Sequence, residues 1–464
     1  MTAFRPDRRQ FLRNLAAAGI AGAAVQPWLQ LQALAQTAQG SGADYKALVC
    51  LFLHGGNDGN NLLVPIDPTR HALYAQARQG LTLNWSSEPA ASELLRLSPT
   101  NTGGVDYGLH GAMPLLKARF DAGQMAVLSN IGPLMEPTDK GQFEARSVEL
   151  PSGLFSHSDQ QAQWQTDSFS PAVKGGWGGR LMDTVLASSG SRDYACVSVT
   201  GSTLWGTNAD ATLLPFRVPA SGRFGMEGYV PTGTGDARNP LSEAIDDLLA
   251  AGSTEVFGRV WLQAMRRSVD NQRFLAGALA GATVPTTFPQ GELGQQLQMV
   301  ARLISVRGQF GLNRQCFFCG IGGFDTHGED QRDVQQAKFT EIDDAVDAFQ
   351  QALGSLGLAD KVTLFTASDF NRTLVSNGKG SDHAWGNHHL VVGGAVRGQQ
   401  VLGRFPDHTR HGPDDLGGGV WVPDLAIDQL GGALGTWFGA GSHLADVFPR
   451  IARFDSQKLA TLMR

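Results

Sequence analysis

Short apolar runs alternate with amphipathic stretches along most of the chain. Residues 47–53 form a continuous apolar run, which is typical of a strand covered on both faces of a parallel sheet. Apolar residues spaced three to four apart predict helices between such runs. This alternation predicts an α/β fold with a mostly parallel central sheet and helices on both faces. The other apolar runs are 125–131, 194–199, 316–321, 362–366 and 389–392, and the predicted helices are 178–187, 241–251, 256–279, 294–306 and 334–356.

Residues 45–464 contain no internal repeat and no charged linker, so they are predicted to form one elaborate domain. Segment 201–239 is rich in Gly, Thr, Pro and Asn and is expected to be a surface excursion or a cap over a site. The chain is 42% hydrophobic, which is enough to form a core and excludes disorder as its main description. A formal charge of -6 without any basic run argues against nucleic-acid binding.

The first 35 residues have the three-part layout of an export signal. Arg8-Arg9 is a twin-arginine motif, residues 15–25 are apolar and uncharged, and Ala33-Leu34-Ala35 offers a cleavage site. Eleven residues span about 16 Å as a helix, roughly half a bilayer, so no membrane anchor is expected. An amphipathic first helix of the domain is the alternative. The chain is therefore predicted to reach the periplasm or beyond with the twin-arginine translocase as a partner, as an acidic protein of net charge -9 after cleavage.

The four cysteines are too few for a disulfide scaffold in a chain of this length. Cys316 and Cys319 have the spacing of a redox motif, but they lie within an apolar run that predicts a strand. Residues three apart in a strand face opposite sides, so buried packing is favoured over redox chemistry. The other two are Cys50 and Cys196.

Carboxylates and imidazoles follow the predicted strands, where open α/β sheets bind their ligands. Asp325 and His327 are two residues apart, so in an extended segment they project to one side. Together these residue types suit a divalent ion such as zinc, manganese or calcium. Any one of the aspartates could instead cap a turn or a helix. The predicted metal ligands are Asp58, Asp325, His327, Asp369 and His383.

Two further residues are candidates for catalysis. Ser156 precedes a predicted helix over 159–166, and the amide groups at a helix start favour an anion. Ser156 or Ser158 could equally be a simple N-cap. Arg372 could clamp a phosphate or sulfate through two parallel hydrogen bonds, or it could pair with a neighbouring carboxylate.

These blocks resemble a known family. The chain from Leu51 onward is similar to twin-arginine-exported bacterial proteins of the domain of unknown function 1501, in which blocks like Gly-Gly-Phe-Asp325-Thr-His327 and Thr-Ala-Ser-Asp369-Phe-Asn-Arg372 recur. The resemblance implies an alkaline-phosphatase and sulfatase-like fold with two metals at strand ends and a Ser, Thr or formylglycine nucleophile. It implies a first metal site at Asp325, His327 and His383, where Gly-Ser-Asp-His383 is similar to phosphopentomutases, and a second at Asp58 and Asp369.

The same resemblance implies an exported metal-dependent hydrolase or transferase acting on small-molecule or polysaccharide phosphate or sulfate esters. Phe370 departs from that pattern, because a metal-binding His usually follows the aspartate at the position of Asp369. The second metal site is therefore expected to be incomplete, and a catalytically degenerate periplasmic binding protein is the alternative. An α/β-hydrolase esterase, suggested by Leu53-His54-Gly55-Gly56, is disfavoured because no Gly-x-Ser-x-Gly elbow occurs.

Overall fold

The computed structural model describes residues 44–169, 175–186, 192–210, 213–222, 228–230 and 237–464. The predicted export signal at 1–35 lies outside the described residues. The strands are β1 Lys46–Leu53, β2 Leu63–Pro65, β3 Leu94–Leu97, β4 Tyr107–His110, β5 Met125–Gly132, β6 Cys196–Ser198, β7 Phe216–Arg217, β8 Arg314–Ile321, β9 Val362–Ser368, β10 Asn387–Val392, β11 Gln400–Leu402 and β12 Leu425–Ala426.

Helices connect most of these strands. They are α1 Gly59–Leu62, α2 Pro68–Arg78, α3 Pro114–Asp121, α4 Lys140–Ala145, α5 His157–Thr166, α6 Trp177–Val185, α7 Pro240–Ala251, α8 Val256–Ala280, α9 Glu292–Ser305, α10 Arg307–Phe310, α11 Gln331–Ser355, α12 Ile427–Gly435 and α13 Leu444–Val447.

The main sheet has the strand order β11-β5-β10-β9-β1-β8-β6-β7, and β12 pairs with β5. The apolar strand β1 lies in its middle, parallel to β8 on one side and to β9 on the other. Its residues from Ala47 to Leu53 are buried, as expected for a strand covered on both faces. With helices packed on both sides of a mostly parallel sheet, the structure confirms the predicted fold class.

Strand β10 is antiparallel to both of its neighbours, β9 and β5. The chain therefore leaves β9 at the carboxyl edge of the sheet and enters β10 from that same edge. The whole connection, residues 369–386, stays there. Asp369, Arg372, Asp382 and His383 are consequently held beside the ends of β1 and β8, which bring the remaining polar groups.

Residues Tyr45–Arg464 form one compact unit. Its large core contains the apolar residues of β1, β8 and β9, together with the inner faces of α9 and α11. A smaller sheet, β2-β4-β3, flanks it. The helices α7 and α8 make a separate small core between them, from Tyr229, Ile245, Leu249, Leu262 and Val269. Among the described residues, no helix is both long enough and apolar enough to cross a membrane.

All four cysteines are buried with free thiols. Cys196 and Cys316 are register partners on β6 and β8, and Cys319 lies further along β8. Burial raises the pKa of the Cys316 and Cys319 thiols, which keeps them protonated. Inert, protonated thiols suit packing rather than thiolate chemistry.

Candidate metal centre

Four side chains converge on a point at the carboxyl edge of the main sheet. Asp325 and His327 follow β8, His383 lies in the connection between β9 and β10, and His157 is the first residue of α5. Between a quarter and a half of each side chain is open to solvent. Water and small solutes can therefore reach the cluster.

The Asp325 carboxylate is the centre of this cluster. Its Oδ1 lies 3.0 Å from His327 Nε2 and 3.5 Å from His383 Nε2, and its Oδ2 lies 3.6 Å from His157 Nε2. The Nε2 atoms of His327 and His383 are 3.1 Å apart. One nitrogen from each of three imidazoles thus faces the same carboxylate.

The other ring nitrogen of each histidine is held by an oxygen. His157 Nδ1 lies 2.6 Å from Asp369 Oδ2, His327 Nδ1 lies 3.1 Å from Asp382 Oδ1, and His383 Nδ1 lies 2.8 Å from the carbonyl oxygen of Phe155. Carbonyl and carboxylate oxygens only accept hydrogen bonds, so each Nδ1 is the donor. In a neutral ring the lone pair is then on Nε2, which is the atom that faces Asp325.

Burial and neighbouring groups shift the pKa of His383, Asp325 and Asp382. Burial lowers the pKa of His383 and outweighs the hydrogen bond to Phe155, which favours a neutral ring. Burial alone would raise the pKa of Asp325, but the hydrogen bond and charge of Arg372 lower it. Hydrogen bonds lower the pKa of the Asp382 carboxyl, the one from Asn377 more than the one from His327. The carboxylates are therefore ionised at neutral pH.

This arrangement fits a divalent ion. Ligand atoms about 2.0 to 2.1 Å from a tetrahedral ion lie roughly 3.3 Å from one another. The four distances among the cluster atoms, 3.0, 3.1, 3.5 and 3.6 Å, scatter around that value. His157 Nε2 is buried and has no hydrogen-bond partner among the described residues. Unprotonated nitrogens this close repel each other unless a proton or a cation lies between them. The residues that could hold the ion are His157, Asp325 and His383, whose ligand atoms all lie within 4.8 Å of one another. His327 is not in that group, but its Nε2 lies 3.0 Å from Asp325 Oδ1 and 3.1 Å from His383 Nε2.

Asp369 differs from its sequence-based expectation as a ligand. It is fully buried, and its Oδ2 accepts hydrogen bonds from His157 Nδ1 and, at 2.8 Å, from Gln161 Nε2. Its Oδ1 accepts from the backbone N–H of Gly55 at 3.2 Å. A carboxylate behind a ligating imidazole fixes the tautomer and the orientation of the ring. Asp369 thus lies behind the cluster and holds His157.

Asp58, the other expected ligand of a second metal, is not brought into the cluster. Its Oδ2 pairs with the buried guanidinium of Arg78 and accepts from Gln331 Nε2 at 2.7 Å. Burying a carboxylate is costly unless it is paired, and the Arg78 side chain, itself fully buried, supplies that pair. Asp58 therefore links α2 and α11, and among the described residues no contact joins its carboxylate to that of Asp369, its expected partner in a second site.

Phe370 occupies space beside the cluster. Its ring centroid lies 4.7 Å from that of His157 and 4.4 Å from that of His383, and its side chain is fully buried. A Cβ added at Gly56 would meet this ring at 2.5 Å, so the glycine is required for the close approach. The sequence analysis expected an incomplete second site because of Phe370, and here the phenyl ring forms an apolar wall against two of the imidazoles.

Ser156 is the N-cap of α5. Its Oγ accepts from the backbone N–H of Asp159 at 3.5 Å and lies 3.2 Å from Ser158 Oγ. No contact joins this hydroxyl to the cluster among the described residues. Its position corresponds to the capping alternative, and the residue directly after it, His157, is the one that faces the cluster.

Arg372 is fully buried, with Nη1 3.0 Å from Asp325 Oδ1 and Nη2 donating to the carbonyl oxygen of Ser381 at 2.6 Å. Nη1 also lies 3.4 Å from the carbonyl oxygen of Gly55. These protein acceptors engage both terminal nitrogens, whereas Nε is buried without a hydrogen-bond partner among the described residues. Its positive charge nonetheless lies next to the carboxylate at the centre of the cluster.

The sequence analysis missed His157. It lies 168 residues before Asp325 and follows a serine that looked like the more reactive group. The backbone near His157 is unusual in the structure. Phe155, two residues earlier, has φ +70°, in the left-handed region that a bulky residue rarely adopts. That conformation accompanies the hydrogen bond from His383 to the Phe155 carbonyl oxygen.

Part of the chain matches a known family in sequence. Residues 270–428 match the model of a family described as "Protein of unknown function (DUF1501)". This match confirms the resemblance over residues 270–428. The matched segment includes Asp325, His327 and His383, and it ends within the first turn of α12. His157 lies outside it. No curated protein matches the chain in sequence.

Solved structures of similar chain path have low identity to this protein. A Bacteroides thetaiotaomicron structure concerned with glycosaminoglycan metabolism is 12% identical, with a TM-score of 0.35, and covers 86% of this chain and 74% of that one. The PsFucS1 sulfatase from Pseudoalteromonas sp. is 10% identical, with a TM-score of 0.34 and coverage of 93% and 74%. The lipoteichoic acid synthase LtaP from Listeria monocytogenes is 9% identical, with a TM-score of 0.29 and coverage of 83% and 75%.

Proposed function

We propose that this protein is an exported hydrolase of phosphate or sulfate esters that works with one divalent metal ion, held by His157, Asp325, His327 and His383. The observation that carries the proposal is the convergence of three imidazole Nε2 atoms on the Asp325 carboxylate, each ring being held at its Nδ1. The ester class is what the family resemblance implies. Three imidazoles and one carboxylate suit zinc better than calcium, which prefers oxygen ligands.

A divalent ion held by these residues would need one further position open to water, and it would then lower the pKa of that bound water and neutralise charge on an ester oxygen. The chain's own residues do the rest. Asp369 and Asp382 hold His157 and His327 in the tautomer that offers Nε2. Arg372 adds a fixed positive charge beside the cluster, which favours an anionic ester group there. Phe370 closes one side against water with an apolar ring.

The attacking group distinguishes two versions of this mechanism. If Ser156 were the nucleophile, as the sequence analysis expected, Ser156→Ala would abolish turnover. Because its hydroxyl is used for capping, we instead expect water to attack and Ser156→Ala to retain most of the activity. The loss of the cap would lower the free energy of unfolding by about 1 kcal/mol.

The test is hydrolysis of aryl phosphates and aryl sulfates by protein loaded in turn with zinc, manganese and calcium. We expect turnover that a chelator removes and that the zinc or manganese form restores. His157→Ala should be inactive, and His443→Ala, a change at an exposed histidine, should behave like the wild type. Metal binding without turnover on either ester class would favour the alternative, a catalytically degenerate binding protein of the periplasm.

Export through the twin-arginine pathway is part of the same proposal. It rests on Arg8-Arg9, the apolar residues 15–25 and the small residues at 33 and 35. Replacing both arginines by lysine should leave the protein in the cytoplasm, as measured by cell fractionation. Periplasmic accumulation of that variant at the wild-type level would contradict this route.

A further inference from the structure

A pair of buried carboxyl groups lies where the helix α5 ends. Asp167 is the residue directly after α5, and Asp428 is the second residue of α12. Both side chains are fully buried, and they are close enough to hydrogen-bond to each other. Two ionised carboxylates in such a contact repel each other, so a buried pair of this kind retains a proton more readily than a single aspartate does.

Two arginines face this pair. Arg450 Nη2 lies 2.9 Å from Asp167 Oδ1 and 3.9 Å from Asp428 Oδ2. Arg180 of α6 donates from all three of its nitrogens to backbone carbonyl oxygens, so it acts on the pair through its charge. Among the described residues, these two arginines and the two carboxyl groups themselves are the charged groups that act on the pair.

The oxygens of the pair lack well-directed donors. Although Arg450 is within ion-pair distance, none of the four carboxyl oxygens accepts a hydrogen bond of good geometry from a donor among the described residues. A buried carboxylate is costly without such a bond. A proton on one carboxyl group supplies a donor to the other and removes the repulsion between them. Accordingly, burial and then the charge of Asp428 raise the pKa of Asp167, and burial raises the pKa of Asp428.

The same contacts hold the C-terminal end of α5 in place. The last carbonyl groups of a helix have no partner within the helix. Here three carbonyl oxygens near the end of α5 accept from side chains of other segments, that of Trp164 from Trp177, that of Thr166 from Arg180 and that of Asp167 from Arg450. The carboxyl pair adds the contact with α12. Because α5 is a ten-residue helix that begins with His157, a displacement of its end also displaces that ring.

We propose that Asp167 and Asp428 share one proton at neutral pH, and that this proton is a pH-sensitive latch which holds the end of α5 against α12. When the end of α5 is released, both carboxyl groups reach water and ionise with the ordinary aspartate pKa of 3.8, so the shared proton is lost. Above pH 3.8, release therefore becomes more favourable as pH rises, until the pair itself titrates. For one proton, the opening equilibrium constant changes about 10-fold per pH unit.

The latch makes the metal centre sensitive to alkaline pH, because release of α5 withdraws His157 from the cluster. That consequence rests on the proposed metal site. The shared proton itself does not, because it depends only on the contacts at the other end of α5.

Hydrogen–deuterium exchange of α5 in the full, metal-free chain tests the latch. After correction for the intrinsic exchange rate, the opening constant of α5 should rise about 10-fold per pH unit between about pH 7 and 8.5. In Asp428→Asn an amide replaces the shared proton as the donor to Asp167, so the opening constant should stay level. Asp414→Asn removes a buried carboxylate that pairs with Arg404, and this matched control should keep the wild-type slope.

Urea unfolding of the same proteins gives opposite signs for the two possible charge states. If the pair shares a proton, Asp428→Asn should be more stable than wild type at pH 8. The unfolding constant of wild type relative to this variant should then rise about 10-fold per pH unit between about pH 5 and 8. If both carboxylates are instead ionised and each pairs with an arginine, Asp428→Asn should be the less stable protein at every pH in this range. That result would overturn the proposal, as would equal slopes of α5 opening in the two proteins.

Infrared spectroscopy detects the proton without any assumption about stability. The carbonyl band of a protonated carboxyl group should be present in wild type at pH 7 and absent in Asp428→Asn, and its absence from wild type would overturn the latch. Adding zinc in the exchange experiment separates the two proposals. Zinc should slow α5 opening if His157 is a ligand, and an unchanged rate would contradict the metal site, whereas the pH slope without zinc decides the latch.

Discussion

Two groups of three histidines lie near the carboxyl edge of the main sheet, and the two groups differ in burial and in hydrogen-bond partners. In the cluster of His157, His327 and His383, every Nδ1 donates to an oxygen and every Nε2 faces Asp325. The second group is buried among aromatic rings. His389 contacts Trp164 edge-on, His388 stacks on Phe405, and His408 stacks on Trp421.

In the part of the chain that the structure describes, no carboxylate forms an ion pair with a ring of the second group. His388 Nε2, His389 Nε2 and both ring nitrogens of His408 have no hydrogen-bond partner among the described residues. Burial lowers the pKa of each of these rings to about 3, so they are neutral core residues. The comparison teaches that an imidazole is a candidate ligand when an outer acceptor fixes its tautomer and its other nitrogen converges with a carboxylate.

The largest expected effect is on metal affinity within the first group. His157→Ala or His327→Ala removes one of four ligands, and we expect the zinc dissociation constant to rise by more than about 100-fold. His389→Gln, a change in the second group, should leave it unchanged. Competition titration with a chromogenic chelator measures both. Equal zinc affinities of His157→Ala and His389→Gln would show that the two groups do not differ in metal binding.

Asp369→Asn tests whether the outer acceptor matters. The amide can present its NH2 group to His157 and so favour the wrong tautomer, and loss of such an outer partner typically weakens metal binding by about 10- to 100-fold. Nitrogen-15 NMR of the histidine rings should show the His157 proton moving from Nδ1. If Asp369 were a direct ligand, its loss would instead match that of His157→Ala.

The second group should make the protein sensitive to acid. The folded-state pKa of His389 is about 3, below the value of 6.5 expected when unfolded, so between these values the unfolded chain binds the extra proton. The free energy of unfolding should therefore fall as pH falls below 6.5, by about 1.4 kcal/mol per pH unit for each such histidine. Urea unfolding at pH 7, 6 and 5 measures this slope. His389→Gln should reduce it by about one proton, and an unchanged slope would contradict the assignment.

The smallest expected effect is that of Phe370→His. Although a histidine there would resemble the pattern of two-metal relatives, Asp58 is paired with Arg78 and Asp369 with His157. We therefore expect the metal content to stay at one ion per chain, as measured by elemental analysis. A rise to two ions would show that these pairs rearrange and that the second site is only blocked by the ring.

The sequence predicted the sheet well because its evidence is local. The continuous apolar runs at 47–53, 316–321 and 362–366 mark β1, β8 and β9, and polar residues after them mark the carboxyl edge. It also named Asp325 and His327, which follow β8, and His383, which lies in the connection between β9 and β10. The sequence could not distinguish a metal ligand from a residue that orients a ligand. Asp325 and Asp369 both follow strands, and only the side-chain positions in the structure show that Asp369 holds His157.

The sequence did not predict that α5 brings His157 into the cluster, for a related reason. Nothing in the spacing of His157 links it to Asp325, because the contact depends on how α5 packs at the edge of the sheet. Asp58 likewise pairs with Arg78, 20 residues away on α2. Convergence of side chains from separate elements is a property of the fold, and one sequence shows only the members that follow strands.

X-ray absorption spectroscopy of the zinc-loaded protein tests the central claim most directly. We expect one zinc per chain, coordinated by three imidazole nitrogens, one carboxylate oxygen and a further oxygen from water at about 2.0 to 2.2 Å, with one imidazole lost in His157→Ala. A zinc content below about 0.2 per chain after incubation with zinc, manganese or calcium, or a zinc environment unchanged by His157→Ala, would contradict it.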